Sequence, residues 1–316
     1  MISINKLAYA HVEELLGSPG YYGVTVEKLP CGATVIDTGL GTPGGYEAGL
    51  MTTRIAMGGA GTATLGYADF GGLKLPTVVI STDHPAVALF AAQLAGWKVK
   101  GEGYTADGSG PARALAQRPK AVFKKIQYKD DADVAVLLLE TETKPPDSAA
   151  LYVAEKCGVD PGDVYLVLTS TTSVAGMVQI SGRIVETGLF RLDVLGLDLN
   201  KVRHGVGYAP IMPVHADMGV AMGRAEDALT YGGVTSYVVD EDETVLKEMA
   251  ENAPSSNCKD YGKTSYEIYK AANFDFTLID PALFAPAVVT LTSSKTGASF
   301  TCGEINNEIL RQSTSS

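Results

Sequence analysis

The longest helical pattern in the chain extends from Ser173 to Leu195. Its apolar side chains recur at helical intervals and cover most of the circumference, which is typical of a helix buried on nearly all sides. Three polar residues, Gln179, Arg183 and Glu186, are spaced four and three apart and therefore share one face. Because small residues flank this polar strip, the pattern favours the wall of a pocket over a solvated surface.

The pair formed by Arg183 and Glu186 has two interpretations. A nearby guanidinium lowers the pKa of a carboxylate whereas burial raises it, so the pair can be tuned for catalysis. A buried ion pair can equally fix the register of a helix or join subunits. Spacing alone does not choose between them.

Continuous apolar runs predict buried strands at residues 133–140 and 164–169, with a helix at 147–157 between them. This order of strand, helix and strand indicates layers of helix on sheet. Weaker patterns predict further helices at 4–16, 86–95, 241–252 and 265–272, strands at 22–29, 33–38, 76–81, 234–239, 288–292 and 299–302, and an extended stretch at 209–213.

Two glycine-containing stretches predict loops. Residues 39–49 hold five glycines and allow close approach of a ligand or another chain. Residues 108–113 read GSGPAR and predict a loop that enters a helix at Pro111. Free backbone N–H groups there could hold an anion together with Ser109 and Arg113, although a tight turn is the commoner explanation.

Composition narrows the class of protein. The 316 residues suffice for one large domain or two ordinary ones, and a hydrophobic content of 46% permits a sizeable core. A net charge of −11 and a pI of about 4.9 argue against a nucleic-acid partner. No apolar run is long enough to span a membrane and the N-terminus lacks a signal-peptide pattern, so we expect a cytoplasmic protein.

Metal and disulfide chemistry are not indicated by the motifs. The four cysteines are far apart without a CxxC pair, and the four histidines form no HExxH. His215 and Asp217 are a weak candidate for a metal site, and we expect none. No nucleophile elbow or Walker loop is present, so the motifs do not indicate a serine hydrolase or a nucleotide-binding P-loop.

Seven blocks, in their order and spacing, resemble the methenyltetrahydromethanopterin cyclohydrolase family over essentially the whole chain. The blocks are TDHPA (82–86), AGWKVK (95–100), GSGPARAL (108–115), DDADVAVL (130–137), VQISGRIVETG (178–188), DYGK (260–263) and IDPALFAPA (279–287). The resemblance implies reversible hydrolysis of 5,10-methenyltetrahydromethanopterin to the 5-formyl form in archaeal one-carbon metabolism, in methanogenesis or its reverse. It also implies homotrimers and no metal or permanently bound cofactor, the tetrahydromethanopterin derivative being the substrate.

The fold expected on this basis is α/β with two subdomains. Each would be a mixed β-sheet with packed helices, with the ligand pocket between them. We predict that residues 1–100 plus 275–316 form the first subdomain and residues 101–274 the second, which carries the catalytic helix.

The resemblance assigns the family's catalytic pair to Arg183 and Glu186, with Glu186 positioning or deprotonating water. The chain departs from the family pattern at 169–171, at 176–177 and at the pair Ala225 and Glu226, but not at the catalytic pair. Candidates for substrate contacts, each of which could instead be structural, are Gln179, Ser109, Gly110, Arg113, Lys98, Trp97 and Phe284. Alternatives are a non-hydrolytic binding protein for a phosphorylated pterin or nucleotide, and a metal-free hydrolase of other cyclic amidines such as folate forms.

Overall fold

The computed structural model describes residues 2–315, which form two compact units. One unit contains the chain up to Thr62 together with Ala86–Gln179, and the other contains Ala63–Pro85 together with the chain from Ile180 onward. Each unit is built on a six-stranded mixed sheet with packed helices. The predicted fold class, α/β with a mixed sheet in each of two parts, is confirmed.

The strands and helices have the following bounds. The strands are β1 (Thr25–Lys28), β2 (Thr34–Asp37), β3 (Thr62–Phe70), β4 (Leu73–Thr82), β5 (Trp97–Gly101), β6 (Tyr104–Ser109), β7 (Ala135–Glu140), β8 (Val164–Thr169), β9 (Val202–Pro210), β10 (Val234–Val239), β11 (Val288–Ser293) and β12 (Ser299–Gly303). The helices are α1 (Ile4–Gly17), α2 (Pro19–Tyr22), α3 (Tyr46–Ala56), α4 (Ala112–Ala116), α5 (Lys120–Ile126), α6 (Asp147–Cys157), α7 (Val174–Ser181), α8 (Ile184–Val194), α9 (Met218–Gly232), α10 (Glu243–Asn252), α11 (Ser265–Ala271) and α12 (Asn307–Ser315). A π-helical segment covers Ala86–Gln93.

The sheet of the first unit has the order β1-β2-β8-β7-β6-β5, and β2, β8 and β7 are parallel. On one face Val35, Leu166 and Leu137 lie side by side in register and pack under α6. On the opposite face the next residue of each strand packs against α1 and α3. Strands covered on both faces have no polar alternation, which explains the continuous apolar runs in the sequence.

The sheet of the second unit has the order β12-β11-β10-β9-β4-β3. Backbone pairing joins β4 to β9 and β11 to β10. The early strands β3 and β4 and the late strands β11 and β12 therefore share one sheet with β9 and β10, which come from the middle of the chain. The predicted division, 1–100 plus 275–316 and 101–274, instead separates these strands from β9 and β10. The two divisions differ because strand partners far apart in sequence are not specified by local patterns.

The helix predicted from Ser173 to Leu195 is in fact two helices, α7 and α8. Gly182 and Arg183 form a turn between them, and Arg183 has φ −85° and ψ 0°. Glycine is among the weakest helix formers because its backbone loses the most freedom on folding. The break puts Gln179 in the first helix and Glu186 in the first turn of the second, with Arg183 directly before it, so the three polar residues do not belong to one continuous helix.

One further element differs from expectation. The glycine-rich stretch 39–49 is a loop only as far as Gly45, after which α3 begins at Tyr46. Within residues 2–315, no helix combines the length and the apolar character needed to cross a membrane.

Candidate active site

The first turn of α8 carries the acid singled out from the sequence. Glu186 is the third residue of this helix and Arg183 immediately precedes it. The guanidinium Nη1 lies 3.7 Å from Glu186 Oε2, and the two side chains are only 13% and 9% exposed. At this distance the two groups form an ion pair, and the partial positive charge of the helix N-terminus favours the carboxylate further.

Close packing fixes the backbone of this turn. Gly205 and Gly207 of β9 lack side chains where the methyl groups of Val185 approach, and a Cβ on either would lie about 3 Å from them. The Tyr237 hydroxyl donates a hydrogen bond of 2.7 Å to the Val185 carbonyl. A Cβ on Gly188 would lie 2.2 Å from that hydroxyl. The residues before and after Glu186 are therefore held against the sheet, which positions the carboxylate.

A second carboxyl group, which the sequence did not single out as functional, belongs to Glu226 of α9. Its Oε1 accepts a hydrogen bond of 3.3 Å from the Thr230 hydroxyl, and the Tyr269 hydroxyl also bonds to the side chain. The residue keeps partial exposure. Burial raises its pKa to about 8, the charges of Asp227 and Glu186 add to this effect, and the hydroxyl partners oppose it.

The neighbouring acid, Asp227, has a structural role. It is completely buried, and its Oδ1 accepts a hydrogen bond of 2.7 Å from the backbone N–H of Ser265 at the start of α11. Burial raises the pKa of Asp227 to about 6, and hydrogen bonds from Ser265 and Ser313 partly offset the increase. Asp227 therefore joins α9 to α11 beside Glu226.

Phe284 and Trp97 are the aromatic residues among the predicted substrate contacts. Phe284 lies in the second unit, which also contains Glu186 and Glu226. The Thr230 hydroxyl lies 3.3 Å from Glu226 Oε1 and 3.0 Å from the Leu283 carbonyl, and its one hydrogen is shared between these two acceptors. Phe284 follows directly and is partly buried against a cluster that includes Met222, one turn before Glu226. Thr230 thus brings the Leu283 carbonyl, one residue before Phe284, close to Glu226.

Two predicted binding residues have structural roles instead. Arg113 is fully buried, and its Nη1 donates to the carbonyls of Phe90 and Ala92 at 3.0 and 3.1 Å, so its guanidinium holds the end of the π-helical segment. Trp97 is buried in the core of the first unit, with its indole N–H 3.4 Å from the Tyr152 hydroxyl. Neither side chain reaches a surface on which a ligand could lie.

The other predicted contacts also belong to the first unit. Ser109 is buried at the end of β6, and the N–H of Gly110 already donates to the Ala92 carbonyl at 2.7 Å. Lys98 is exposed and pairs with Asp107 at 2.7 Å. Gln179 is buried in α7 as the last residue assigned to this unit. Their part in ligand binding remains a prediction.

Polar groups also gather at the carboxyl ends of the parallel strands in the first unit, where open α/β sheets commonly bind ligands. Asp37, at the end of β2, accepts hydrogen bonds of 2.7–3.0 Å from the N–H groups of Gly39, Leu40 and Gly41. This carboxylate therefore fixes the glycine-rich loop. A clue was available in the sequence, because an aspartate stands two residues before that loop.

The arrangement of acids and histidines bears on metal binding. Across residues 2–315, no three side chains from His, Cys, Asp and Glu are grouped closely enough to hold a metal ion. His215, the weak candidate, has its Nδ1 3.0 Å from the backbone N–H of Asp217 and so accepts a local hydrogen bond. The two residues form a turn at the start of α9.

Comparison with known proteins adds independent information. Residues 3–314 match the model of a family described as Cyclohydrolase (MCH). A protein of Methanocaldococcus jannaschii named methenyltetrahydromethanopterin cyclohydrolase is 44% identical, with 99% of this chain and 98% of the relative covered. Proteins of the same name from Methanococcoides burtonii and Methanothermobacter marburgensis are 40% and 41% identical, with 99% of this chain and 98% and 99% of those proteins covered.

Proposed function

This chain belongs to the MCH cyclohydrolase family, and we propose that it catalyses the reversible hydrolysis of 5,10-methenyltetrahydromethanopterin to 5-formyltetrahydromethanopterin. The observation that carries the proposal is the full-length identity of 40–44% with relatives that bear this enzyme's name. We place the reaction in one-carbon metabolism, in methanogenesis or its reverse.

The chemistry of the substrate fits the pair on α8. The methenyl group is a cation shared between two nitrogens, so its carbon is already electrophilic and needs a positioned, deprotonated water. In our proposal the Glu186 carboxylate accepts the proton of that water as oxygen bonds to the carbon. General-base assistance of this kind contributes about 10²–10⁴-fold to the rate. The near-complete burial of Glu186 strengthens its attraction for the cationic ring.

Arg183 orients the base in this scheme. Its guanidinium lies 3.7 Å from Glu186 Oε2, which favours the ionised carboxylate before water attacks. The same cation can stabilise the negative charge that develops on the attacking oxygen. Collapse of the tetrahedral intermediate then releases the proton of its hydroxyl group to solvent and breaks the bond to the second nitrogen, which takes the proton held by Glu186 and leaves the formyl group on N5.

The proposed substrate contacts are based on the chemistry and the burial of each side chain. Phe284 remains our candidate for stacking on the flat ring, and its partial burial at the edge of an apolar cluster of the second unit is compatible with that role. Gln179, Ser109, Gly110 and Lys98 remain candidates for the heterocycle or for the acidic tail of the substrate. Arg113 and Trp97, both buried in the first unit, remain predictions as well.

The test is to incubate the purified protein with methenyltetrahydromethanopterin and, in parallel, with methenyltetrahydrofolate. We expect loss of methenyl absorbance with the first compound at a rate far above that of the buffer alone, and formation of the 5-formyl product. Faster turnover of the folate form would indicate a hydrolase of other cyclic amidines. Binding without turnover of either compound would indicate a binding protein.

We further propose that no metal or permanently bound cofactor takes part. Activity should survive extensive dialysis against EDTA, because the positive charge of the substrate takes the place of a Lewis acid. Loss of activity that zinc or magnesium restores would contradict this proposal.

We also propose a homotrimer acting in the cytoplasm. An assembly is supported by β3, an edge strand that exposes Leu65 and Tyr67 at 47% and 70%. Light scattering coupled to gel filtration should give three times the mass of one chain, and a monomeric mass would contradict the proposal. Fractionation of cells should recover the protein with the cytoplasm.

A further inference from the structure

Strand β10 presents a tyrosine to the helix that carries Glu186. Burial alternates along β10, and its buried face holds Thr235, Tyr237 and Val239. Tyr237 is completely buried, and α8 is in contact with this strand. A buried tyrosine directs its hydroxyl at a hydrogen-bond partner, because an unpaired hydroxyl away from water is costly.

The partner of this hydroxyl is the backbone next to Glu186. The Tyr237 hydroxyl donates a hydrogen bond of 2.7 Å to the Val185 carbonyl, which belongs to the peptide bond that joins Val185 to Glu186. The backbone of Leu189 and the side chain of Thr235 are further hydrogen-bonding neighbours of the same hydroxyl. Tyr237 therefore bonds to the turn of helix from which the Glu186 side chain projects.

Two glycines make this contact possible. Gly205 of β9 is the direct partner of Tyr237 in the antiparallel pairing of β9 with β10. A Cβ on Gly205 would lie 3.4 Å from the tyrosine ring and 3.0 Å from Val185 Cγ1. On the helix, a Cβ on Gly188 would lie 2.2 Å from the tyrosine hydroxyl. The ring can therefore cross the sheet and reach the helix because both positions lack a side chain.

The hydroxyl of Tyr237 acts as a donor and not as an acid or base. Burial holds the pKa of Tyr237 well above its ordinary value of 10, and the charge of Glu186 adds to the increase, whereas Thr235 and Leu189 partly offset it. The tyrosine therefore keeps its proton near neutral pH and remains bonded to the Val185 carbonyl. Any effect on the reaction has to pass through the position of the turn.

We infer that Tyr237 is a positioning residue for the hydrolysis, because its hydroxyl fixes the turn that directs the Glu186 carboxylate toward the attacking water. Since Glu186 is the general base of the reaction proposed above, this inference rests on the proposed function. Arg183 directly precedes α8 and Glu186 is the third residue of that helix, so a shift of the turn displaces both members of the ion pair. A displacement of about 1 Å at a reacting group can cost about 100-fold in rate.

The experiment compares kcat and KM of Tyr237→Phe with those of the wild type for hydrolysis of methenyltetrahydromethanopterin. Phenylalanine keeps the ring and removes the hydroxyl. We expect kcat to fall by about 10–100-fold, because the turn that carries the base is no longer fixed. KM should change by less than about threefold, because the charges that attract the cation are unchanged.

Tyr231→Phe is the matched control. Tyr231 of α9 is also completely buried in the second unit, and its hydroxyl donates a hydrogen bond of 2.6 Å to the Lys263 carbonyl. This variant likewise removes one buried bond between a tyrosine and a carbonyl, so it should lower the midpoint of thermal unfolding by a similar amount. Its kcat should stay within about threefold of the wild type. An equal fall in kcat in both variants would overturn the inference, because general destabilisation would then explain it.

A double variant tests whether Tyr237 acts through Glu186. Once glutamine replaces Glu186, the direction of this side chain no longer controls proton transfer. Adding Tyr237→Phe to Glu186→Gln should therefore lower the residual turnover by less than about threefold. A structural role that is independent of the base predicts the same factor in both backgrounds, and that result would overturn the inference.

The gap at Gly188 provides a second double variant. The nearest atom to a Cβ at this position is the tyrosine hydroxyl at 2.2 Å, and the next is Pro286 Cγ at 3.0 Å. Removal of the hydroxyl creates space for the methyl group. Gly188→Ala should therefore lower kcat by less than about threefold in the Tyr237→Phe background, against about 10–100-fold in the wild type. Equal effects in both backgrounds would contradict the contact between the hydroxyl and the turn.

Circular dichroism and thermal unfolding establish which variants are folded. If Tyr237→Phe does not fold, Gly188→Ala tests the same contact from the helix, and an unchanged kcat there would overturn the inference. A raised KM with kcat unchanged in Tyr237→Phe would also overturn it, because the hydroxyl would then serve substrate binding. A wild-type protein that does not hydrolyse the methenyl compound would refute the proposed function itself, whereas an active wild type with an unaffected Tyr237→Phe would refute the role of Tyr237 alone.

Discussion

Replacing Glu186 with glutamine should separate substrate binding from turnover. Glutamine has nearly the same shape, but its amide cannot accept the proton of the attacking water. We expect kcat to fall by about 10²–10⁴-fold, which corresponds to about 2.7–5.5 kcal/mol of activation free energy. The position is suited to such a test, because packing of Val185 and Gly188 holds the turn whichever side chain is present.

Binding should change much less than turnover. The variant removes one negative charge from the site, which by itself weakens attraction for the cation. It also removes a charge that raises the pKa of Glu226, so that pKa should fall and Glu226 should ionise more readily. Because glutamine keeps the shape of the side chain and its other contacts with the ligand, KM should rise by less than about tenfold.

The unfolding free energy of Glu186→Gln must be measured as a control for the changes in kcat and KM. Arg183 and Glu186 are 13% and 9% exposed, so the variant leaves a mostly buried guanidinium facing a neutral amide. Losing one partner of a charged interaction costs about 1.5–3 kcal/mol of unfolding free energy. Kinetics should therefore be measured well below the unfolding midpoint, with Glu248→Gln as a charge-matched control.

The assay follows methenyl absorbance for turnover and equilibrium dialysis for binding to the inactive variant. Turnover of Glu186→Gln within about tenfold of the wild type would refute the role of Glu186 as general base. Loss of binding with kcat retained would show that Glu186 only attracts the cation.

Three further predictions concern other parts of the structure. Glu226 binds its proton more tightly when folded, with a pKa of about 8 against 4.5, so unfolding free energy should fall as pH rises between these values, by up to about 1.4 kcal/mol per pH unit. Glu226→Gln should flatten that slope in denaturant titrations, and an unchanged slope would contradict the burial argument. Arg113→Met should lower the unfolding free energy by about 3 kcal/mol or more, because several buried carbonyls lose their donor. A raised KM at unchanged stability would restore the predicted binding role of Arg113. Gly188→Ala should lower kcat by about 10–100-fold, because a Cβ 2.2 Å from the Tyr237 hydroxyl displaces the turn that carries Glu186, and unchanged kcat would show that this packing is dispensable.

Several elements were predictable because their local pattern is strong. The strands at 135–140 and 164–169 and the intervening helix at 147–157 occur where expected, as does the hairpin of β11 and β12. Strands covered on both faces are apolar throughout, so the continuous apolar runs indicated buried strands. The break at Gly182 was missed because a continuous helical periodicity outweighs one weak helix former when the sequence is considered alone.

Candidate residues were harder to assign than elements. Arg113 and Trp97 have the chemistry of ligand contacts, yet the structure buries both in the core of the first unit. Residue type shows what a side chain can do, whereas burial decides what it can reach.

By itself, the sequence determined the family, the main strands and helices, and the pairing of Arg183 with Glu186, because spacing of three residues brings two side chains together on any helix. The position of Glu226, within range of the charge of Glu186, depends instead on long-range packing. That proximity depends on how α8 and α9 pack on one sheet, and the ionisation of a carboxyl group depends on neighbours that no local pattern specifies.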